Sequence, residues 1–211
     1  MKQIIFHLDF ISPFAYLAFE HLPRALQGLP CTVRYRPLLL GALFKHHGNT
    51  APPDVPPKHE WTFRHVQWLG HVHGIPIDPP ASHPYNPLPH LRLALAASHD
   101  GDISRDVAEM IFRAVWRGGG EALDPPRLAA LEAALPLVRE ANGDSVKAQL
   151  KANTDAAAAA GVFGVPMFEL DGRLFWGFDS LPMLRACLEG DPWFSGPAWN
   201  GAFQQASALR G

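Results

Sequence analysis

The chain has 211 residues, 47% of them hydrophobic, enough to bury one substantial core. A formal net charge of −2 gives no electrostatic pull toward nucleic acid or an anionic membrane surface, and no run reaches the ~18 apolar residues of a membrane span. The opening MKQIIFHLDF is too short an apolar run for a secretory signal and is broken by Asp9, while Cys31 and Cys187 stand far apart with no C-x-x-C. The expectation is a soluble protein of a reducing cytoplasm whose ligand is a small molecule.

Residues 3–8 form an apolar block that predicts a buried strand, and residues 13–27 carry Phe14, Leu17, Ala18 and Leu22 at helical spacing before Gly28. Between them stands Ser12-Pro13. Proline suits the first helical turn, where its missing N–H costs no bond, and the serine before it can cap the free amides. The same geometry holds a hydroxyl at the positive end of a helix dipole, a setting that suits an anion such as a thiolate. CTVRYRP at 31–37 alternates Cys31, Val33 and Tyr35 with polar residues and ends at a proline, which predicts a second strand. A crossover of this length predicts that the two strands are parallel.

From Leu38 to about Gly161 the signals turn helical. Leu128, Leu131, Leu135 and Val138 make one stripe, kinked at Pro136 and closed by Asn142-Gly143, and a further helix is predicted from Asp144 through the alanines at 156–160. Strand signals return in PMFELDGRLFWG. Phe168 and Leu170 alternate with Glu169, Asp171-Gly172 makes a two-residue hairpin turn, and Leu174 and Trp176 continue beyond it. A last helix is predicted over roughly 180–190. The order β-α-β, helical block, β-β-α describes an α/β thioredoxin-like domain, residues 1–37 and 162–211, with a large all-helical insertion at 38–161.

Six stretches carry a resemblance that runs almost end to end: DFISPFAYLA at 9–18, YRPLLLGALFKHHGN at 35–49, PPK at 56–58, HPYNPLPHLR at 83–92, GVFGVPMF at 161–168 and LFWGFD at 174–179. In this order the chain resembles the 2-hydroxychromene-2-carboxylate isomerases, relatives of the kappa-class glutathione transferases and of the DsbA-like branch of the thioredoxin fold. The resemblance implies a glutathione-dependent isomerase of aromatic degradation, a homodimer. Its substrate would be 2-hydroxychromene-2-carboxylate or a related aromatic ring-cleavage product, converted to trans-o-hydroxybenzylidenepyruvate through transient thiolate addition. It also implies the site. Ser12 stands where thiol oxidoreductases carry their first reactive cysteine and would hold the glutathione sulfur, with Pro13 and Phe14 beside it. Val165, before a cis Pro166, would pair its backbone with the cysteinyl part. Asn49 and Lys58 would meet the tripeptide backbone and glycyl carboxylate, and Phe178, Asp179 and Ser180 the γ-glutamyl end. Phe178 and Ser180 replace the Gln and Arg usual in the isomerases. Tyr85 and Asn86 would touch the aromatic substrate, and Lys45 or Arg36 would offset its carboxylate. The same thiol site also serves a kappa-type transferase or peroxidase, and a non-catalytic ligand-binding relative is the third reading.

All 11 histidines fall in the first half of the chain, but the spacings of His65, His71 and His73 match no usual metal-binding pair, so no metal is expected. Trp61, Phe63 and Trp68 are expected in the core or the wall of a cleft, with no basic stripe beside them to suggest nucleic acid.

Overall fold

The computed structural model describes residues 1–50 and 54–201. Strand β1 (Lys2–Leu8) leads through Ser12 into helix α1 (Pro13–Ala25) and returns as β2 (Cys31–Pro37), parallel to β1 with Phe6 opposite Tyr35. Helices α2 (Leu40–His47), α3 (Pro56–His73), α4 (Leu88–Ala96), α5 (Arg105–Trp116), α6 (Pro125–Ala134) and α7 (Asp144–Ala159) follow. The chain then re-enters the sheet as the antiparallel hairpin β3 (Met167–Leu170) and β4 (Arg173–Trp176) and closes with α8 (Leu181–Glu189) and the short α9 (Pro197–Asn200). The sheet order is β2-β1-β3-β4, which puts β1 in the middle and its exit at the heart of the molecule. This is the mixed sheet and helical complement of a DsbA-like thioredoxin fold.

Alternation along β1 turns Ile4, Phe6 and Leu8 into the main core, which continues without a break through α1, α4 and α5. Phe10, Tyr16 and Phe19 all pack on Phe112 of α5, with ring centroids 4.8, 6.2 and 5.1 Å apart. Each fully buried aromatic of this kind stabilises the fold by ~1.5–3 kcal/mol. The Trp116 indole donates to the Phe10 carbonyl at 2.9 Å, so α5 also fixes the path of the chain just before Ser12. On the other sheet face a smaller cluster, Leu38, Leu43, Ala157, Val162, Val165 and Met167, seats α2 and α7.

Three local expectations need correction. Helix α6 ends at Ala134, so Pro136 lies beyond a terminus instead of inside a kinked helix, and Val138 is exposed; the residue before a proline is driven out of the helical region, as the extended Leu135 shows. In the hairpin, Phe168 faces Phe175, so Phe175 continues the inner face while Leu174 and Trp176 take the opposite one. Trp61 and Trp68 are 65% and 58% exposed, because they share an outward face of α3 while Val66, Leu69 and Gly70 face inward. No helix among the described residues is long and apolar enough to cross a membrane.

Candidate functional site

The turn that delivers Ser12 is gripped at every peptide. The Asp9 carbonyl accepts the Ser12 N–H at 3.1 Å, and the Asp9 carboxyl accepts the Ile11 N–H through Oδ1 at 3.2 Å. Its Oδ2 accepts the N–H of Leu40, the first residue of α2, at 2.9 Å. His83 holds the Ile11 carbonyl through Nε2 at 2.9 Å. A carbonyl only accepts, so Nε2 carries the proton and Nδ1 the lone pair.

Ser12 caps α1, its Oγ accepting the Ala15 N–H at 3.2 Å. Pro13 has no N–H and Tyr16 donates to the Ser12 carbonyl, so Phe14 keeps the one first-turn amide with no acceptor among the described residues. The Ser12 hydroxyl points toward the Val165 carbonyl at 3.5 Å, the limit of a hydrogen bond. Its proton is therefore weakly held. The Val165–Pro166 peptide bond is cis, and the Pro166 carbonyl accepts the Gly177 N–H at 3.0 Å, tying this loop to the end of β4.

In front of Ser12 opens a cavity of about 800 Å³, walled chiefly by Phe14, Phe44, Phe63, Phe163, Val165 and Trp176. Phe163 and Trp176 meet edge to face at 5.0 Å, and Gly164 makes room for them, since a Cβ there would stand 3.0 Å from the indole nitrogen. Apolar walls with a few polar groups, at this size, suit small-molecule binding. Those groups include Asp9, Ser12, Asn49, His59 and His83; among the described residues no Lys or Arg lines the cavity. Burial pushes the Asp9 carboxyl up to about 7, against the pull of its backbone N–H donors. Burial likewise lowers His83, with the Ile11 carbonyl working against it, and raises Tyr85 well above the ordinary phenol range, aided by the charge of Asp9.

Of the residues named from sequence, Ser12, Pro13, Phe14, Asn49 and Val165 come together on this cavity, with Pro166 directly behind Val165. The others stand off its wall. Phe178 is buried against the rings of His21 and His73, and the Ser180 hydroxyl donates to the Gly177 carbonyl at 2.8 Å; Asp179 is exposed. Lys45 and Lys58 are exposed on α2 and the first turn of α3. Arg36 lies at the sheet edge, bidentate on Asp102 at 2.7 and 3.0 Å, where the segment before α5 covers β2. Tyr85 packs its ring between His83 and His90 with its hydroxyl buried and unpartnered, and Asn86 accepts the Leu88 N–H at 3.1 Å to open α4.

Asp9, His59, His83 and Trp176 escaped the sequence reading. The signal for Asp9 was present: a lone acid ending an apolar strand, three residues before the capping serine. His83 sits inside HPYNP, but which of its residues faces the cavity depends on tertiary packing.

This fold defines a thioredoxin-like protein, and a model of the DSBA-like thioredoxin domain matches residues 3–189. The chain is 31% identical to a 2-hydroxychromene-2-carboxylate isomerase of Pseudomonas putida, over 87% of this chain and 92% of that protein. It is 30% identical to human glutathione S-transferase kappa 1, over 88% and 89%. A solved structure of 2-hydroxychromene-2-carboxylate isomerase superposes with a TM-score of 0.74 at 22% identity, covering 97% of this chain and all of the other. The chain thus belongs to the DsbA-like thioredoxin family and, within it, to the 2-hydroxychromene-2-carboxylate isomerase family.

Proposed function

We propose that the protein is a glutathione-dependent isomerase acting on 2-hydroxychromene-2-carboxylate or a related aromatic ring-cleavage product. The observation that carries this reading is the pairing of Ser12, at the N-terminus of α1, with Val165 on the wall of an apolar cavity that no cysteine lines. Cys31 lies on β2 and Cys187 on α8, so dithiol exchange has no partner here. The residues fit a thiol tripeptide. Val165, whose N–H has no acceptor among the described residues, offers an extended backbone to a peptide. The free Phe14 amide, the helix dipole and the Ser12 hydroxyl together favour a thiolate over a thiol, whose ordinary pKa is about 8.5.

Bound glutathione would supply a nucleophile whose reversible addition to a conjugated alkene turns a double bond into one that can rotate. The chain's own residues hold and orient that sulfur, and Phe63, Phe163 and Trp176 exclude water around a planar substrate. Asp179 is assigned to the γ-glutamyl ammonium, and Asn49 and Lys58 to the tripeptide backbone and carboxylate. With Arg36 committed to Asp102, Lys45, exposed on α2, is assigned as the cation for the substrate carboxylate.

The 30% identity to a kappa-class transferase favours one other reading, in which the same thiolate attacks and stays attached. Incubating the protein with the chromene and a limiting amount of glutathione separates them. Isomerisation gives many product molecules per glutathione with the thiol titre unchanged, whereas transfer consumes one thiol per product. Conversion no faster with glutathione than without it would remove both readings.

A further inference from the structure

Phe163 and Trp176 are 38% and 57% exposed, and of the large hydrophobic side chains left exposed among the described residues they are the two that line the cavity in front of Ser12. We propose that Phe163 and Trp176, spaced by Gly164, are specificity-determining residues: they form the subsite that takes an aromatic ring of the second substrate, the ring attached to the carbon that the thiolate attacks. The proposal rests on the isomerase reading above and adds to it which part of the substrate the protein recognises.

Folding does not account for the pair. Phe14 and Phe63, which also line the cavity, pack against the main core, whereas Phe163 and Trp176 belong to neither buried cluster. Two large rings left exposed side by side forgo the stabilisation that burial would give, and a ligand that covers them recovers it. Their backbone positions are nevertheless fixed. Trp176 ends β4 opposite Met167, and the next amide, that of Gly177, donates to the Pro166 carbonyl at 3.0 Å. Gly164, between Phe163 and Val165, lets the indole lie close against the chain: a Cβ there would stand 3.0 Å from the indole nitrogen, and its nearest neighbours would all be atoms of that indole.

The two rings stand 5.0 Å apart at 62°, a corner instead of a stack. A third ring entering such a corner lies offset on one face and turns its edge to the other, the arrangements in which aromatic quadrupoles attract. A saturated ring of the same size gains the apolar contact without that attraction. The place also suits the chemistry. Val165 follows Gly164 directly, and its carbonyl lies 3.5 Å from the Ser12 hydroxyl, so a sulfur held there is next to the corner. In an aryl-conjugated alkene the ring is one bond from the carbon attacked. As the C–S bond forms, the alkene electron pair passes into the conjugated carbonyl, and it returns when the thiolate leaves. With the ring seated in the corner, rotation between these steps swings the carbonyl arm while the ring stays in place.

The test uses two unreactive ligands, hydrocinnamyl alcohol and its cyclohexyl analogue, which have no alkene and differ only in the ring. Calorimetric titration of the wild-type protein should give an affinity about 2- to 10-fold higher for the phenyl compound. An apolar wall alone would bind the saturated ring at least as well. Trp176→Leu should abolish the preference and Trp176→Phe should restore much of it, with urea unfolding checking that each variant is folded. Gly164→Ala, which pushes the indole aside, should reduce it. In the isomerase assay Trp176→Leu should raise KM for the chromene more than it lowers kcat. A wild-type protein that binds both alcohols equally, or neither, overturns the subsite even where the variants fail to fold. A preference that survives both Trp176→Leu and Phe163→Leu puts the ring elsewhere in the cavity and overturns it as well. The preference is read without turnover, so a protein that shows it, loses it in Trp176→Leu and yet converts no chromene keeps the aryl subsite and loses the isomerase reading.

Discussion

The Ser12 hydroxyl lies 3.5 Å from the Val165 carbonyl, across 153 residues of sequence, while its oxygen caps α1 by accepting from Ala15. The two roles use different parts of one group: the lone pair serves the helix and the proton is nearly free. A ligand sulfur between Ser12 and Val165 would take that proton as a hydrogen bond.

Ser12→Ala is therefore expected to act twice. Losing the cap costs ~0.5–2 kcal/mol of stability, read from urea unfolding. Losing one hydrogen bond to a charged sulfur, worth ~1.5–3 kcal/mol, raises the pKa of bound glutathione by roughly one to two units. Ultraviolet titration of the thiolate under saturating glutathione measures the shift, and the rate loss should shrink as pH rises. A variant that is destabilised but has an unchanged thiolate pKa would return Ser12 to capping alone.

Asp179→Asn should weaken glutathione binding, by the ~1.5–3 kcal/mol of a charge-assisted contact, and leave the chemical step nearly unaltered. Gly177, two residues before it, takes φ +93, a conformation that L side chains rarely adopt, so the backbone of the turn that carries Asp179 is set by that glycine. Calorimetric titration with glutathione decides the matter. Unchanged affinity in a folded variant makes Asp179 a surface acid only.

The parts of the fold legible in the sequence are those set by local rules. Ser12-Pro13 marks a helix start wherever it occurs, and Asp171-Gly172 imposes a tight turn because both residues adopt positive φ, +50 and +74. Pairings between distant segments were not legible. Arg36 alternates on β2 as a surface cation should, and only the fold brings Asp102 to it from 66 residues away. The hairpin face was misassigned at Trp176 because hydrophobicity marks both its core side and its cavity side. Asp9 reads as the end of a strand until burial removes its water.

Arg36→Ala should separate structure from binding. Asp102 keeps Arg34 as a second partner, so the expected loss is about 1 kcal/mol of stability, visible as a lower thermal midpoint. KM for the aromatic acid should change less than twofold. A KM raised tenfold at unchanged stability would mean that Arg36 leaves Asp102 to meet the substrate.

His90 gives the clearest pH dependence. It is buried in α4, its Nδ1 has no partner, and burial, with a smaller contribution from Arg127, lowers its pKa to about 4. The unfolded chain takes up this proton near pH 6.5. Between pH 6.5 and 4 the unfolded state therefore binds a proton that the native state refuses, and stability that is complete above 6.5 is lost as pH falls. His90→Leu removes the titration and fills the site with an apolar side chain that leaves no nitrogen unsatisfied. The variant is expected to match or exceed wild type at pH 8, and its advantage at pH 5 should be larger by about 2 kcal/mol, one and a half pKa units at 1.36 kcal/mol each. Urea unfolding of both proteins at the two pH values measures the difference directly. An advantage that is the same at both would show that His90 is protonated in the folded protein at pH 5, with its charge met by a group such as Tyr85, whose ring lies 5.6 Å away.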